Sequence, residues 1–447
     1  MKFFILFCRR SWQCGRKLTF WEKRLIFILL AIIIASGLLW QRQIWLKATA
    51  IVPGNGGIYT EGVVSNSREN IELQFQRLTA AGLIRCDNDN NLTADLAKSW
   101  TIDKDKKSYH FFLQDGLDAA ALAEQIKTVA ADNKQWPEFQ MEAVDKSHLK
   151  MVLREPFSPF LRYFTRPIFN GYGPYIIADW NNKMLVLEKN DRYHLNKPLI
   201  DKINIKIYKT SADLKIALEN REVMAAILEN ESIDDNHFVR YELKLPRKMA
   251  VFFNLRNPKL KDVNLRQKIG RGEKLDNKIS LQMVVANNPQ MLEKARGVKE
   301  RLAANNVEVE ITEKTAPEIE EKIIPERNFE LLLYGIDTNA DPDPYPFWHS
   351  SQIDAPGLNI SALTDENLDK LLDEARQITD ESARAAKYQE IDKMLTDLMP
   401  YFTIDYPPLY FWLNSELKGV IINQGATTAD RFASINQWYL KTRRVRK

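Results

Sequence analysis

The amino-acid sequence predicts an α/β protein preceded by a single transmembrane helix. Three observations carry that expectation. Residues 25–40 read LIFILLAIIIASGLLW, an apolar run without a charge. From Gly57 to about Leu245, short strand patterns mix with helix patterns. After Pro246 strands and helices alternate regularly, the order that builds a largely parallel sheet through right-handed crossovers.

Taken in order, the apolar run comes first. Continued to Trp45 past Gln41, Arg42 and Gln43, it approaches the ~20 residues that cross ~30 Å of hydrocarbon. Arg42 can snorkel to the interface, and Trp21, Trp40 and Trp45 suit the two headgroup belts. Lys2, Arg9, Arg10, Arg16, Lys17, Lys23 and Arg24 precede the run, and only Arg42 and Lys47 follow it closely. This asymmetry makes 1–24 a cytoplasmic basic segment, 25–45 the transmembrane anchor and the remainder extracytoplasmic. A cleaved signal peptide is the competing reading. No good A-x-A site and no lipid-accepting cysteine follow the run, Ala48-Thr49-Ala50 lying well beyond its apolar part, so an uncleaved anchor is expected. Residues 46–56 read as a linker from Pro53, Gly54 and Gly56.

In the exported part, 184–190 (MLVLEKN) and 203–209 (INIKIYK) alternate apolar and polar residues, as half-buried strands do. Ser211 opens a helix with Leu214, Ala217 and Leu218 on one stripe. Beyond Pro246, ISLQMVV (279–285) is a strand, and Met291, Leu292, Ala295, Val298 and Leu302 mark a helix. VEVEI (307–311) is a strand, 316–324 a helix, and FELLLYGI (329–336) a buried strand. Two long helices follow, one with Leu368, Leu371, Leu372, Ala375 and Ile378, the other with Tyr388, Ile391, Leu395 and Leu398 ahead of Pro400.

Length and composition exclude several classes. The 447 residues are enough for two or three packed lobes. The 63 basic and 59 acidic residues leave a net charge of +4, too balanced for a nucleic-acid partner. Cys8, Cys14 and Cys86 cannot form a disulfide framework, and Cys86 reads as a small core residue. His110, His148, His194, His237 and His349 are scattered, so neither a metal nor another cofactor is indicated. No nucleophile elbow or phosphate-binding glycine loop occurs, which argues against an enzyme. The acidic stretch DTNADPD (337–343) lacks the glycine and closing glutamate of a calcium loop. It reads as a turn rich in Asp and Pro at the end of a strand.

Several blocks resemble one family. LTAAGLIRCDNDNNLTADLAKSWTIDKDKKSYHFFLQDGL, beginning at Leu78, is similar to an opening block with D-L-A-x-S-W followed by Y-x-F-x-L-x-x-G. GYGPYIIADWNNKMLVLEKNDRY (171–193) resembles a G-T-G-P-Y hairpin block, and KPLIDKINIKI (197–207) the segment after it. VFFNLRNPKLKDVNLRQKI (251–269) resembles the crossing into a second lobe, with Asn254 and Arg266 at the expected places. DPDPYPFWHS (341–350), residues 359–375, Arg431–Phe432 and Trp438–Tyr439 complete the series. In this order the blocks resemble the dipeptide/oligopeptide type of ABC-importer solute-binding proteins, solute-binding protein family 5. The chain is shorter than that pattern after LQDGL and after Arg266.

The resemblance implies a two-lobe, periplasmic-binding-protein-like type II fold that closes on its ligand like a hinge. Lobe one is expected at 57–246 with 412–447 and lobe two at 250–404, with crossings near 245–255 and 403–413. The implied function is capture of a peptide or other small solute for an ABC permease and its ATPase. A sensory ectodomain without ligand and a binder of a non-peptide solute are the alternatives. An aspartate after the buried strand of lobe two is implied to meet the ligand ammonium. Asp337, Asp341 and Asp343 are the candidates there, and Tyr345 and Trp348 are candidate pocket-lining residues.

Overall fold

A computed structural model describes residues 19–446 apart from 66, 88–90, 133–135, 230–231, 338–342, 355–356, 405–407, 423–424 and 426. By its internal contacts the chain forms two units. One holds Met1–Gly56 with Tyr439–Lys447, and the other holds Gly57–Trp438.

In the first unit, one helix runs from Phe20 to Ala48, and the 24 residues from Lys23 to Leu46 are apolar and long enough to cross a bilayer. The expected linker takes a more ordered form. Thr49–Gly54 is a strand, paired antiparallel with Lys441–Arg446 over its whole length. Pro53 and Gly54 suggest a loop locally, but a two-stranded ribbon leaves Pro53 without a required donor. The closing strand also lies later than the Arg431–Tyr439 motifs suggest, because Thr428–Phe432 and Ile435–Gln437 form short 3-10 turns.

The Gly57–Trp438 unit contains three layered parts. A seven-stranded sheet has the order Tyr175–Trp180, Met184–Lys189, Lys202–Tyr208, Ile58–Val64, Ala225–Glu229, Leu409–Asn414, Phe238–Leu243. The trio 202–208, 58–64 and 225–229 is parallel, and the flanking strands are antiparallel to their neighbours. The helix Ser211–Glu219 crosses between two of the parallel strands. It buries Leu214, Ala217 and Leu218, the stripe legible in the sequence. It can approach because Gly62 has no side chain: a Cβ there would stand 2.2 Å from Leu214 Cδ1.

A five-stranded sheet has the order Val307–Lys314, Ile279–Ala286, Leu331–Asp337, Arg247–Phe253, Tyr401–Ile404. Only Arg247–Phe253 runs against the rest. The helices Pro289–Ala303, Glu366–Gln377 and Glu381–Leu398 cover it, burying Ala295, Val298, Leu302, Leu368, Leu372, Ile391 and Leu395. The expected helix at 316–324 forms as one continuous helical run over 316–326, with a π segment at Ile319–Ile323 in its middle. The chain passes between the two sheets twice, at 244–246 and again between Ile404 and Leu409.

The third part is a four-stranded antiparallel sheet, Ala97–Ile102, Ser108–Leu113, His148–Leu153 and Phe139–Asp145, in that order. The helix Ala119–Asp132 packs on it through Leu122 and Ile126, closing a separate core with Tyr109, Phe111, Phe160 and Phe164. Beside this core Cys86 is half-buried, and Arg162 Nη1 donates to its Sγ at 3.1 Å.

Candidate functional site

Where the two large sheets meet, both contribute side chains to a cavity of about 550 Å³. Strand ends supply one wall: Glu61–Val64 from the central parallel strand and Ile227–Glu229 from its neighbour. This is the carboxyl end of parallel strands, where open α/β sheets present ligands. Arg247, at the start of the crossing strand, and Gln290, in the first turn of Pro289–Ala303, face them from the second sheet. Asn288 caps that helix, its side chain accepting from Met291 N at 2.9 Å, and so fixes where Gln290 projects. Gln290 Nε2 donates to Glu229 Oε2 at 2.8 Å, a hydrogen bond that joins the two lobes.

The floor of the cavity is an ion pair almost sealed from solvent. Arg431 Nε and Nη2 donate to Glu61 Oε1 at 3.1 and 2.7 Å, and the Tyr59 hydroxyl donates to Glu61 Oε2 at 2.5 Å. Glu61 is 1% and Arg431 2% exposed. Arg431 also donates to the carbonyls of Gln74 and Thr428, and its guanidinium lies 4.1 Å from the Phe432 ring and 4.9 Å from that of Phe75. Burial, then the neighbouring Glu61 charge, push the Tyr59 phenol well above its ordinary pKa. One buried pair thus sets the helix Arg68–Thr79 and the Thr427–Thr428 turn against the strand. Asn70 and Gln74 of that helix, with Thr427 and Thr428, line the cavity. The turn is held further by a capping box between Thr427 and Asp430, and Arg77 pairs with Asp430.

The residues singled out in the sequence are not brought together in one place. Asp337 ends the strand Leu331–Asp337, and its backbone is in register with Arg247, itself a wall of the cavity. Asp341 lies outside the described residues. Asp343 is buried, and Arg376 Nε and Nη2 donate to its Oδ2 at 3.0 and 2.8 Å. Tyr345 lies beneath the Arg376 guanidinium at 3.6 Å, and both line a second cavity of about 700 Å³ with Phe157 and Trp136 from the small sheet's part. Trp348 is buried in the second core, stacked on Tyr401 at 4.8 Å and 17°. Asn254 and Arg266 serve the scaffold. Asn254 Nδ2 donates to the carbonyls of Arg327 and Phe329 at 2.9 and 2.8 Å. Arg266 donates to Leu398 O at 2.6 Å and Met399 O at 3.0 Å, capping the end of Glu381–Leu398.

Sequence reasoning did not single out Glu61, Glu229, Arg247 or Gln290. The available signal was Glu61, a carboxylate inside the otherwise uncharged strand IYTEGVV, where an unpaired charge is costly and implies a buried partner. Among the histidines, folding brings His110 Nδ1 and His148 Nε2 to 3.0 Å. Among the described residues no group of three or more His, Cys, Asp or Glu side chains is placed to hold a metal.

Residues 91–270 match the model of the bacterial extracellular solute-binding proteins, family 5 middle. The chain is 23% identical over 451 residues to the probable D,D-dipeptide-binding periplasmic protein DdpA of Escherichia coli, covering 78% of this chain and 86% of that protein. Its fold is similar to that of the periplasmic binding protein DppA from Helicobacter pylori in complex with the peptide STSA, with a TM-score of 0.67, 16% identity, and coverage of 87% of this chain and 98% of that one. NikZ from Campylobacter jejuni in complex with Ni(L-His) gives a TM-score of 0.68 at 18% identity, over 86% of this chain and 99% of that one.

Proposed function

Because the chain belongs to the family 5 solute-binding proteins of ABC importers, we propose that it captures a peptide in the cleft between its two large sheets and delivers it to a permease. The observation that carries the reading is the cavity whose walls come from both lobes, with Glu229 and Gln290 already bonded across it. Closure around a ligand would exchange such lobe-to-lobe contacts for contacts through the ligand. The cavity wall carries the Glu229 carboxylate and the Arg247 guanidinium, groups whose charges match the two ends of a zwitterionic peptide. The strand register of Asp337 beside Arg247 favours Asp337 as the partner of a ligand ammonium, a charge-assisted bond contributing about 1.5–3 kcal/mol. Asp341 remains a candidate on the same loop, whereas Asp343 is already engaged by Arg376. Tyr345 and Trp348 are read as packing beside it, Tyr345 at the wall of the second cavity.

The helix Phe20–Ala48 is read as a retained anchor with an extracytoplasmic binding domain behind it. What supports retention is the ribbon: Thr49–Gly54 continues directly from the helix and is paired with Lys441–Arg446. No catalytic role is assigned.

The test is a melting-temperature screen with di- to octapeptides and with chelated nickel. A true ligand at about 100 times its Kd should stabilise the protein by about 2.7 kcal/mol. Stabilisation by nickel chelates alone would reassign the solute. No response to any solute would favour the sensory-ectodomain alternative. Asp337→Asn should weaken peptides with a free amino terminus more than acetylated ones, and equal losses would remove Asp337 from the ammonium role.

A further inference from the structure

The ribbon that follows the apolar helix carries a charge pattern that solute capture does not explain. Lys441, Arg443, Arg444 and Arg446 are all exposed along one six-residue strand, and no acidic residue occurs in 48–60 or 431–447. A two-stranded ribbon is marginally stable in water by itself and needs a surface to pack against. Its apolar side chains are small in number, and Ile51 is 61% exposed. The register places the charges by distance from the helix. Arg446 is opposite Thr49, Arg444 opposite Ile51, Arg443 opposite Val52 and Lys441 opposite Gly54. Arg444 turns back towards the helix: its Nη1 donates to Thr49 Oγ1 at 3.0 Å, and its guanidinium lies 4.9 Å from the ring of Trp45. Trp45 is the kind of side chain that settles at headgroup level.

We infer that this basic ribbon is a lipid-contacting strap that binds anionic phospholipid headgroups of the leaflet where the helix emerges. The inference rests on the reading of Phe20–Ala48 as a membrane-spanning anchor. A strand advances about 3.3 Å per residue, and screening at physiological salt acts over about 8 Å. Arg446 and Arg444 therefore stand within reach of the lipid charge, while Lys441, at the far end, stands beyond it. The ring of Trp45 and the stems of the arginines supply the apolar part of the contact. The consequence is a second attachment, sensitive to salt and lipid composition, that links the Lys441–Arg446 strand to the bilayer surface beside the anchor.

The experiment uses the full chain in lipid nanodiscs, either of pure phosphatidylcholine or with one third phosphatidylglycerol. Amide hydrogen exchange is followed in Thr49–Gly54 and Lys441–Arg446, with the strand Ile58–Val64 as the internal reference for an intact fold. Exchange in the ribbon should slow about tenfold or more in the anionic discs, return to the zwitterionic rate in molar salt, and leave the reference unchanged. R444E/R446E should abolish the lipid response, and K441E should leave most of it. Equal ribbon exchange in both lipids, or a response unaltered in R444E/R446E, would overturn the strap. Co-elution of chain and discs is scored separately. A chain that co-elutes but shows no lipid response loses only the strap, whereas one that fails to co-elute loses the anchor and the strap with it.

Discussion

Two arginine–carboxylate pairs stand beside the cleft cavity and the second cavity described in the Gly57–Trp438 unit, and they are built to different specifications. Arg431–Glu61 is sealed at the cleft floor, with side-chain exposures of 0% and 1%, a phenol on the second carboxylate oxygen and aromatic rings around the guanidinium. Arg376–Asp343 is a bonded pair at the second cavity with 24% and 9% exposure, so water still screens the arginine. The first joins segments 370 residues apart in sequence, and the second joins neighbours 33 residues apart. The difference teaches that the deep pair organises the cleft wall as a whole, whereas the shallow pair fixes one loop to one helix.

The largest expected effect is the removal of one member of the deep pair. Arg431→Met leaves Glu61 charged in an apolar site and should cost about 3–5 kcal/mol in denaturant unfolding. Glu61→Leu combined with Arg431→Met removes both charges and should recover most of that loss. A cost for Arg431→Met below about 1 kcal/mol would place the pair in the same class as an exposed one.

The buried phenol gives the deep pair an alkaline signature that the shallow pair lacks. The folded pKa of Tyr59 is raised above its unfolded value near 10, so the folded state keeps a proton that the unfolded state has lost. Its stabilising contribution is present below pH 10 and declines as the pH rises beyond it, by about 1.4 kcal/mol per pH unit. Tyr109, whose phenol burial pushes up to about 12, adds a slope of the same sign. Stability measured between pH 9 and 11 should fall less steeply in Tyr59→Phe, and an unchanged slope would show that the phenol is not held neutral by the fold.

Asp343→Asn should cost less, about 1–2 kcal/mol in thermal unfolding, since Arg376 keeps access to water and its stacking on Tyr345. A loss as large as that of Arg431→Met would erase the distinction between the pairs. Smallest of all is Gln290→Ala, which removes the lobe-to-lobe hydrogen bond to Glu229. About 0.5–1 kcal/mol is expected, read as a more open solute-free protein in small-angle scattering with little change in melting temperature.

How far the fold was legible in the sequence follows from where each signal resides. Helices with an apolar stripe were readable because their periodicity is local. Leu214, Ala217 and Leu218, or Leu368, Leu372 and Ala375, announce a buried face within a few turns. Strands with alternation or an apolar run, such as Met184–Lys189 and Ile279–Ala286, were readable for the same reason. The Thr49–Gly54 strand was not, because its pairing partner lies at Lys441–Arg446 and its own composition favours a turn. The four-stranded sheet with its own core was likewise invisible as a separate part, since Phe139–Asp145 and Ser108–Leu113 look like ordinary members of one mixed lobe.

The candidate site divides along the same line. Sequence alone determined the apolar helix, the α/β alternation, the acidic loop after the strand Leu331–Asp337, and, through ordered blocks, a family resemblance. Only the tertiary structure decided that Glu61 meets Arg431, that Glu229 meets Gln290, that Asp343 is taken by Arg376, and that Trp348 belongs to a core. Local periodicity encodes which face of an element is buried, but it carries no record of which distant charge will stand opposite. That pairing is set when loops close and sheets stack, and the cost of leaving a buried charge alone then selects its partner.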